Sequence, residues 1–369
     1  MGESYEAAGV DIAAGEEAVQ SIKQQVRSTF RPEVIGDIGG FGGLFDFSRH
    51  GYKKPLLVSS TDGVGTKAFV AAAAGRFNTI GIDLVAMCVD DLVCQGAEPL
   101  FMLDYISVRK LHSQRMEQLV EGVVDGCRQA GCALIGGEMA EHPLPTQVVE
   151  GLAKAAAADS RLALHHPQDE FELVGFAVGV VERSKLVGGQ KVQPGNTLIG
   201  LPSPGLRCNG YSLARKLYFE VAERGLDDPA WEGSNHSVAD ELLLPSVIYS
   251  PAVCDVLAKV EARAIAHITG GGLVGNLARV LSDKTDAIVD ESCWEVPEVF
   301  AELQRIGDVP DVQMAKVFNL GLGMVMVVSE KDATKAIDSL RASGHRATVV
   351  GHISKGTGKI KFLNRGITR

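Results

Sequence analysis

The run Ser60–Lys67, STDGVGTK, constrains this chain more than any other eight residues, because it joins two kinds of local structure in a very short space. Ahead of it, Leu56–Ser59 is an apolar stretch of strand length; from Ala68 the pattern turns helical. The run is therefore predicted to be a strand-to-helix turn, carrying an acid, two glycines, a threonine hydroxyl and a lysine. Such a turn suits a nucleotide's phosphates: glycines let backbone N–H groups approach oxygens closely, the helix start favours negative charge, and Asp62 is placed to hold the Mg²⁺ that accompanies ATP. The order is not that of a Walker loop. A turn with no ligand is an equal reading of these residues alone, since Asp-Gly is a favoured turn pair.

The chain has 369 residues, too many for one ordinary core, and the size fits two domains of about 150 to 200 residues each. From Leu56 onward, strand candidates (Leu56–Ser59, Leu100–Val108, Ala133–Gly136, Glu172–Glu182) alternate with helices at Thr79–Gln95 and Ser113–Ala130. The turn-rich stretch Gly188–Asn196 reads as a new start. Beyond it, strands are expected at Thr197–Leu201, Ala264–Ile268, Ala287–Asp290, Val317–Val328 and Ala347–Ile353, and helices at Tyr211–Arg224, Ser246–Val260, Leu273–Leu281, Pro297–Ile306 and Lys331–Ala342. The economical architecture is two α/β domains, residues 1–183 and 184–369. The alanine-rich stretch from Pro143 to Glu172 breaks the rhythm and reads as a surface excursion, with His165 and His166 facing solvent.

Composition excludes several classes. The seven cysteines are odd in number and form no CxxC pair, which points to reduced thiols in a cytoplasmic protein. A net charge of −10, with no long lysine or arginine block, argues against a nucleic-acid partner. No uninterrupted apolar run is long enough to span a membrane.

Other segments add chemistry. The helix at Ile80–Cys94 carries three charges, all aspartates, on an apolar cylinder: Asp83 and Asp90 lie nearly on one stripe, Asp91 somewhat round from it. Buried carboxylates need cations or donors, so a magnesium site shared with Asp62 and pairing with arginines elsewhere are both open. Ala133–Pro143 ends a strand in two glycines followed by Glu138 and Glu141, where α/β proteins keep ligands or where acids simply close turns. In the loop Pro202–Gly210, Arg207 and Asn209 are in reach of an anionic or amide-bearing substrate, although Asn209-Gly210 also reads as a helix entry. Ala266–Leu273 joins strand to helix through Gly270, Gly271 and Gly272, beside His267 and Thr269; a phosphate monoester fits such a turn. The glycine run Ile38–Gly43, containing Gly42, suits a lid over a nucleotide or a flexible linker equally.

Taken together and in order, SYEAAGVDIAAGEEAV, RPEVIGDIGGFGGLF, STDGVGTK, NTIGIDLVAMCVDDLVCQGAEPLFMLDY, GGEMAE, NGYSLAR, AHITGGGL and FNLGLGMVMVV resemble the phosphoribosylformylglycinamidine cyclo-ligases, the aminoimidazole ribonucleotide synthetases of purine biosynthesis, from about Ser4 to Ile353. The resemblance implies a homodimer whose N-terminal sheets join in a barrel-like interface near ATP, and a C-terminal mixed-sheet domain with flanking helices that completes the substrate site. It implies the reaction of formylglycinamidine ribonucleotide with ATP to give aminoimidazole ribonucleotide, ADP and phosphate. Carried over by position, Lys23 and Lys67 contact phosphates; Gly42, Thr61, Gly63, Gly65 and Thr66 cradle the nucleotide; Asp62 and Asp91 ligate Mg²⁺. By the same carry-over Glu138 orders metal or substrate, while Asn209, His267, Thr269 and the Gly270–Gly272 turn hold the ribonucleotide or shuttle protons.

The chain departs from the family pattern at Met139, commonly Thr, at Arg207-Cys208, commonly His-Ser, and in the long Pro143–Glu172 connection. The point departures read as tolerable variants because the flanking glycines and acids remain. Other ATP-using enzymes of this fold fit less well: selenophosphate synthetase needs a reactive residue near the N-terminus, whereas the first cysteine here is Cys88, and the hydrogenase maturation protein needs a C-terminal cysteine, whereas this chain ends NRGITR. A catalytically silent nucleotide-binding scaffold is the alternative from another class.

Overall fold

The computed structural model of the chain describes residues 12–143, 148, 150, 151, 154 and 169–363. Most of the Pro143–Glu172 excursion, with His165 and His166, lies outside the described residues, as does the motif segment before Ile12. Within them the chain is a mixed α/β protein that separates into two compact units. The first comprises the described residues up to Gly51 with Ser60–Cys88 and Leu100–Val178; the second comprises Tyr52–Ser59, Val89–Pro99 and Gly179 onward.

A four-stranded sheet has the order β3-β6-β4-β5, with β3 at Pro55–Gly63, β4 at Glu98–Val108, β5 at Ala133–Glu141 and β6 at Phe171–Glu182; Ser60–Gly63, Leu100–Val108, all of β5 and Phe171–Val178 belong to the first unit. Its helices are α1 (Ile12–Arg27), α2 (Lys67–Ala74), α3 (Ile80–Cys94, of which Ile80–Cys88 belongs to this unit) and α4 (Ser113–Ala130). Ile80, Leu84, Val85 and Met87 of α3 are buried and Ile82 is partly so, which accounts for its almost uninterrupted apolar composition. A Cβ at Gly81 would stand 2.1 Å from the Val123 amide nitrogen, and one at Gly122 2.6 Å from the Asn78 carbonyl oxygen, so α3 and α4 meet backbone to backbone. Any larger residue at these glycines forces the two helices apart.

Two expectations in this unit change. Ser60–Gly63 is strand rather than turn: Thr61 donates from Oγ1 to the Gly175 carbonyl and the Val64 N–H donates to the Leu173 carbonyl, so neighbouring β6 draws the chain further into the sheet, as far as Gly63. Only Val64–Thr66 remains as the connection to α2. The glycine run Ile38–Gly43 lies in the connection of a short hairpin, β1 (Val34–Ile35) with β2 (Leu44–Phe45), which the periodicity had not marked. A Cβ at Gly43 would meet Ile135 at 2.7 Å, so the last of these glycines is fixed by packing.

The second unit carries a six-stranded sheet in the order β12-β9-β11-β7-β10-β8. Its strands are β7 (Thr197–Pro202), β8 (Ala262–His267), β9 (Thr285–Asp290), β10 (Leu322–Val328), β11 (Thr348–Lys355) and β12 (Ile360–Leu363), all antiparallel to their neighbours except the parallel pair β12/β9. Every residue of β10 is buried, as expected for a strand covered on both faces. Met324 and Met326 belong to one apolar cluster, with α7 (Ser250–Leu257) and α11 (Ala333–Ala342); Val325 and Val327 belong to another, with α8 (Gly272–Ala278). Period-two alternation along β10 thus serves two cores at once.

Here too the structure corrects details. The strand expected from Val317 begins at Leu322: Asp311–Val317 is helix α10, and the chain then turns through Leu320 and Gly321, both at positive φ. The long helix expected at Tyr211–Arg224 is a short α5, Tyr211–Arg215, continued by a wider π-type stretch, Lys216–Val221. The remaining helices are α6 (Val238–Leu242), which a Ser237–Asp240 capping box opens, and α9 (Glu298–Gly307). Strand β12 was not legible in advance. Among the described residues no helix is long and apolar enough to cross a membrane.

Candidate active site

In the first unit, the residues of STDGVGTK stay together at the end of β3. Asp62 is partly exposed and accepts from the Gly63 N–H at 2.8 Å, while Thr66 and Lys67 open α2. Lys67 is wholly buried, its ammonium 2.7 Å from Oδ2 of Asp83, which is buried as well. This pair ties the first residue of α2 to α3. Lys23, on α1, is bridged at 3.2 Å to Asp37, which also takes Arg27; hydrogen bonding from Arg27 holds the Asp37 carboxyl well below its usual range. Gly42 is exposed in the hairpin connection.

Glu138 is exposed on β5, where one carboxylate oxygen accepts from the Met139 N–H at 3.0 Å. It borders a cavity of about 730 Å³ with Gln20 and Ile22 of α1, Leu134, Gly137 and Asp104. Asp104 is a residue that sequence reasoning missed. It sits directly across from Gly137 in the parallel β4/β5 pair, and a Cβ at Gly137 would stand 1.8 Å from its Oδ1, so only glycine leaves room for the carboxyl. Burial pushes that carboxyl up to about 7.

An unfolded aspartate releases its proton near pH 3.9, whereas folded Asp104 holds it to about 7, so the stability contribution is complete below about 4 and is lost as pH rises to about 7. Asp104→Asn, uncharged throughout, is expected to remove this slope. Thermal unfolding midpoints at pH 5 and pH 8 should show the variant gaining on the unsubstituted protein at the higher pH; an equal gap at both would refute it.

In the second unit, strand β8, the second half of α3 and the loop before α5 converge. His267 closes β8 with its ring buried, and its Nδ1 lies 2.8 Å from Oδ1 of Asp91, a carboxylate that remains 47% exposed. On the other side, Nη2 of Arg207 lies 3.0 Å from His267 Nε2 and 2.9 Å from Asp90 Oδ2. Asp90 is fully buried, and its Oδ1 accepts from the N–H groups of Tyr249 at 2.9 Å and Ser250 at 3.0 Å. Burial raises the Asp90 carboxyl, and Arg207, His267 and the Tyr249 amide oppose the rise. With three donors converging on its two oxygens, we take it as the carboxylate. Arg207 also donates to the Val247 carbonyl at 2.7 Å, covers the Tyr249 ring at 5.0 Å and holds φ at +63°, a conformation uncommon for a non-glycine residue. The arginine that looked like a tolerable variant is among the largest fully buried side chains.

Asn209 is adjacent: its amide nitrogen is 3.6 Å from where a Gly270 Cβ would stand, and its Oδ1 is buried without a hydrogen-bond partner among the described residues. The triple-glycine turn is held from below by Asn276, whose Nδ2 donates to the carbonyls of Thr269 (3.2 Å), Gly270 (3.2 Å) and Gly272 (2.8 Å). Asn276 is a second residue that the sequence did not single out; an asparagine one helical turn into α8 was its signal. Gly271 and Gly272 have φ of +96° and +60°, and a Cβ at Gly272 would meet the Ala315 carbonyl at 2.3 Å.

Comparison with known proteins decides the family. Models of AIR synthase related proteins match twice, the N-terminal domain over residues 50–156 and the C-terminal domain over residues 193–362. A phosphoribosylformylglycinamidine cyclo-ligase of Geotalea daltonii is 47% identical over 352 residues, covering 95% of each chain. The chain belongs to the phosphoribosylformylglycinamidine cyclo-ligase family. A cyclo-ligase of Bacillus cereus (strain Q1) is 44% identical over 358 residues, with 97% of each chain covered. Solved structures share the fold of this cyclo-ligase family member at low identity. Thiamine-monophosphate kinase from Stenotrophomonas maltophilia aligns with a TM-score of 0.63 at 16% identity over 93% of this chain and 95% of its own. Hydrogenase maturation protein HypE, solved with ATP, aligns at 0.64 and 14%, over 96% and 92%.

Proposed function

We propose that the protein cyclises formylglycinamidine ribonucleotide to 5-aminoimidazole ribonucleotide in purine biosynthesis, consuming ATP through an iminophosphate. The carrying observation is identity of 47% across nearly the whole of a curated cyclo-ligase. ATP is required because the formamide oxygen is a very poor leaving group. Once that oxygen takes the γ-phosphoryl group, an amidine-side nitrogen attacks the adjacent carbon, the C–O bond breaks and phosphate leaves with the oxygen. Proton loss from the attacking nitrogen then gives the aromatic ring. Positioning and charge neutralisation supply most of the acceleration in such a phosphoryl step.

In this reading residues 1–183 bind ATP and dimerise, and residues 184–369 complete the substrate site. Thr61, Asp62, Gly63, Gly65 and Thr66 border the phosphates, with Lys67 and Asp83 fixing their turn from inside, while Lys23 and Gly42 close on the nucleotide. Asn209, Thr269 and the Gly270–Gly272 turn hold the ribonucleotide: the unpartnered Oδ1 of Asn209 offers an acceptor to a substrate hydroxyl or amidine. Glu138 orders substrate beside the cavity.

Among the described residues no three His, Cys, Asp or Glu side chains gather into a metal cage. Mg²⁺ takes one or two carboxylates with phosphates and water, and the exposed carboxylate of Asp91 and the partly exposed one of Asp62 are the proposed ligands. When bound, the ion neutralises charge on the triphosphate. Tyr105, Val174 and Phe176 are large side chains left exposed on the first unit's sheet, which supports burial of that face in a barrel-like homodimer interface. Seven free thiols suit a reducing cytoplasm.

Purified protein incubated with Mg·ATP and formylglycinamidine ribonucleotide tests the reading. The expected result is ADP release that depends on the ribonucleotide, with an aminoimidazole product. Nucleotide binding without turnover would instead identify a silent scaffold and overturn the proposal.

A further inference from the structure

We infer that Arg207 is a positioning residue that sets the tautomer of His267, and through it the orientation of the Asp91 carboxylate. A guanidinium has only donors, so the 3.0 Å approach of Arg207 Nη2 to His267 Nε2 is a hydrogen bond only if Nε2 carries no proton. The ring proton then sits on Nδ1 and is donated to Asp91 Oδ1 at 2.8 Å. The opposite tautomer would set two N–H groups against each other on one side and a bare nitrogen against a carboxylate on the other.

Arg207 can impose this because it is itself immobilised. Asp90, the Val247 carbonyl and the Tyr249 ring fix its plane, and Asp90 is in turn held by two backbone N–H groups. A chain of contacts therefore runs from the buried interior of the second unit, Asp90 to Arg207 to His267, and ends on the one carboxylate in it that faces solvent. Both ring nitrogens of His267 are engaged, so the ring orients Asp91 and is not a free proton carrier. The role of Asp91 as cation ligand rests on the proposed function; the tautomer does not.

Histidine-labelled full-length protein tests this by nitrogen NMR, with the His267 signals identified by their loss in His267→Asn. The expected pattern is a protonated Nδ1 and a bare Nε2, changing to the other tautomer or a mixture in Arg207→Met. If Arg207→Met does not fold because Asp90 loses its cation, Asp90→Asn with Arg207→Met removes both charges and is read in the same way. The Mg²⁺ concentration for half-maximal rate should rise about 10–100-fold, as for other residues that orient a metal ligand, with the KM for the ribonucleotide little changed. A protonated Nε2 in the unsubstituted protein, or an unaltered Nδ1–H pattern without Arg207, would overturn the inference. Absence of turnover with the NMR pattern intact would count against the proposed function and leave the inference standing.

Discussion

Asp83→Ala is expected to destabilise the first unit by about 3–5 kcal/mol, the usual cost of taking one partner from a buried ion pair. Asp83 and Lys67 both have no exposed side-chain surface and meet at 2.7 Å, so loss of the carboxylate leaves an ammonium in a low-dielectric interior without its counter-charge. Burying either charge is costly, and the pair is tolerated because each offsets the other. Removing both together, as Lys67→Met with Asp83→Leu, should therefore recover most of the loss, since apolar groups of similar volume often replace a buried pair without penalty. Amide hydrogen exchange over α2 and α3, alongside thermal unfolding, would locate the effect. An Asp83→Ala protein that melts with the unsubstituted one would show that the pair contributes nothing. Because Lys67 opens α2 directly after the Val64–Thr66 connection, the same substitution should also disorder the turn that borders the phosphates.

The second large effect concerns turnover. Asp62→Ala and Asp91→Ala are each expected to lower kcat/KM by about 10³-fold, the scale on which a single preorganised electrostatic contact acts in a transition state. Neither carboxylate is part of a packed core, so both variants should keep the circular dichroism of the parent; Asp91→Ala takes the acceptor from the buried Nδ1–H of His267, so its unfolding midpoint should fall modestly. The two losses should also be strongly non-additive in the double variant if both carboxylates serve one cation. ADP release measured over a range of Mg²⁺ concentrations distinguishes a weakened site, which excess cation partly rescues, from an absent contribution. Full activity in either variant would remove that residue from the metal assignment.

Much of the fold was legible because its signals are local. Helix α4 runs from Ser113 to Ala130 as its 3.6-residue period and terminal glycine indicated, and Thr197, Tyr211 and Ala342 bound elements where turn chemistry placed them. Local signals failed where a neighbour from afar decided. Ser60–Gly63 has turn residues, yet β6, more than a hundred positions later in the chain, offers ladder partners and holds it as strand. The run from Val317 has the composition of a strand, yet helix α10 takes Val317 and the positive φ of Leu320 and Gly321 holds the strand back to Leu322. Strand β12 is four residues long and gains its stability from pairing with β9, a contact its own residues do not announce.

The candidate site divides in the same way. The amino-acid sequence alone determined the kinds of group available, acids and glycines at chain turns, the α/β class and the family likeness, because residue type, period and motif order are properties of neighbours along the chain. Only the tertiary structure decided what each group does. It buried Lys67 against Asp83, enclosed Asp104 opposite a glycine, and turned Arg207 from an apparent variant into the hinge between Asp90 and His267. The physical reason is that a charge acquires its meaning from what surrounds it: Asp90 and Asp91 are adjacent in the chain, yet one lies among backbone donors in the interior while the other meets solvent, and no local rule separates them.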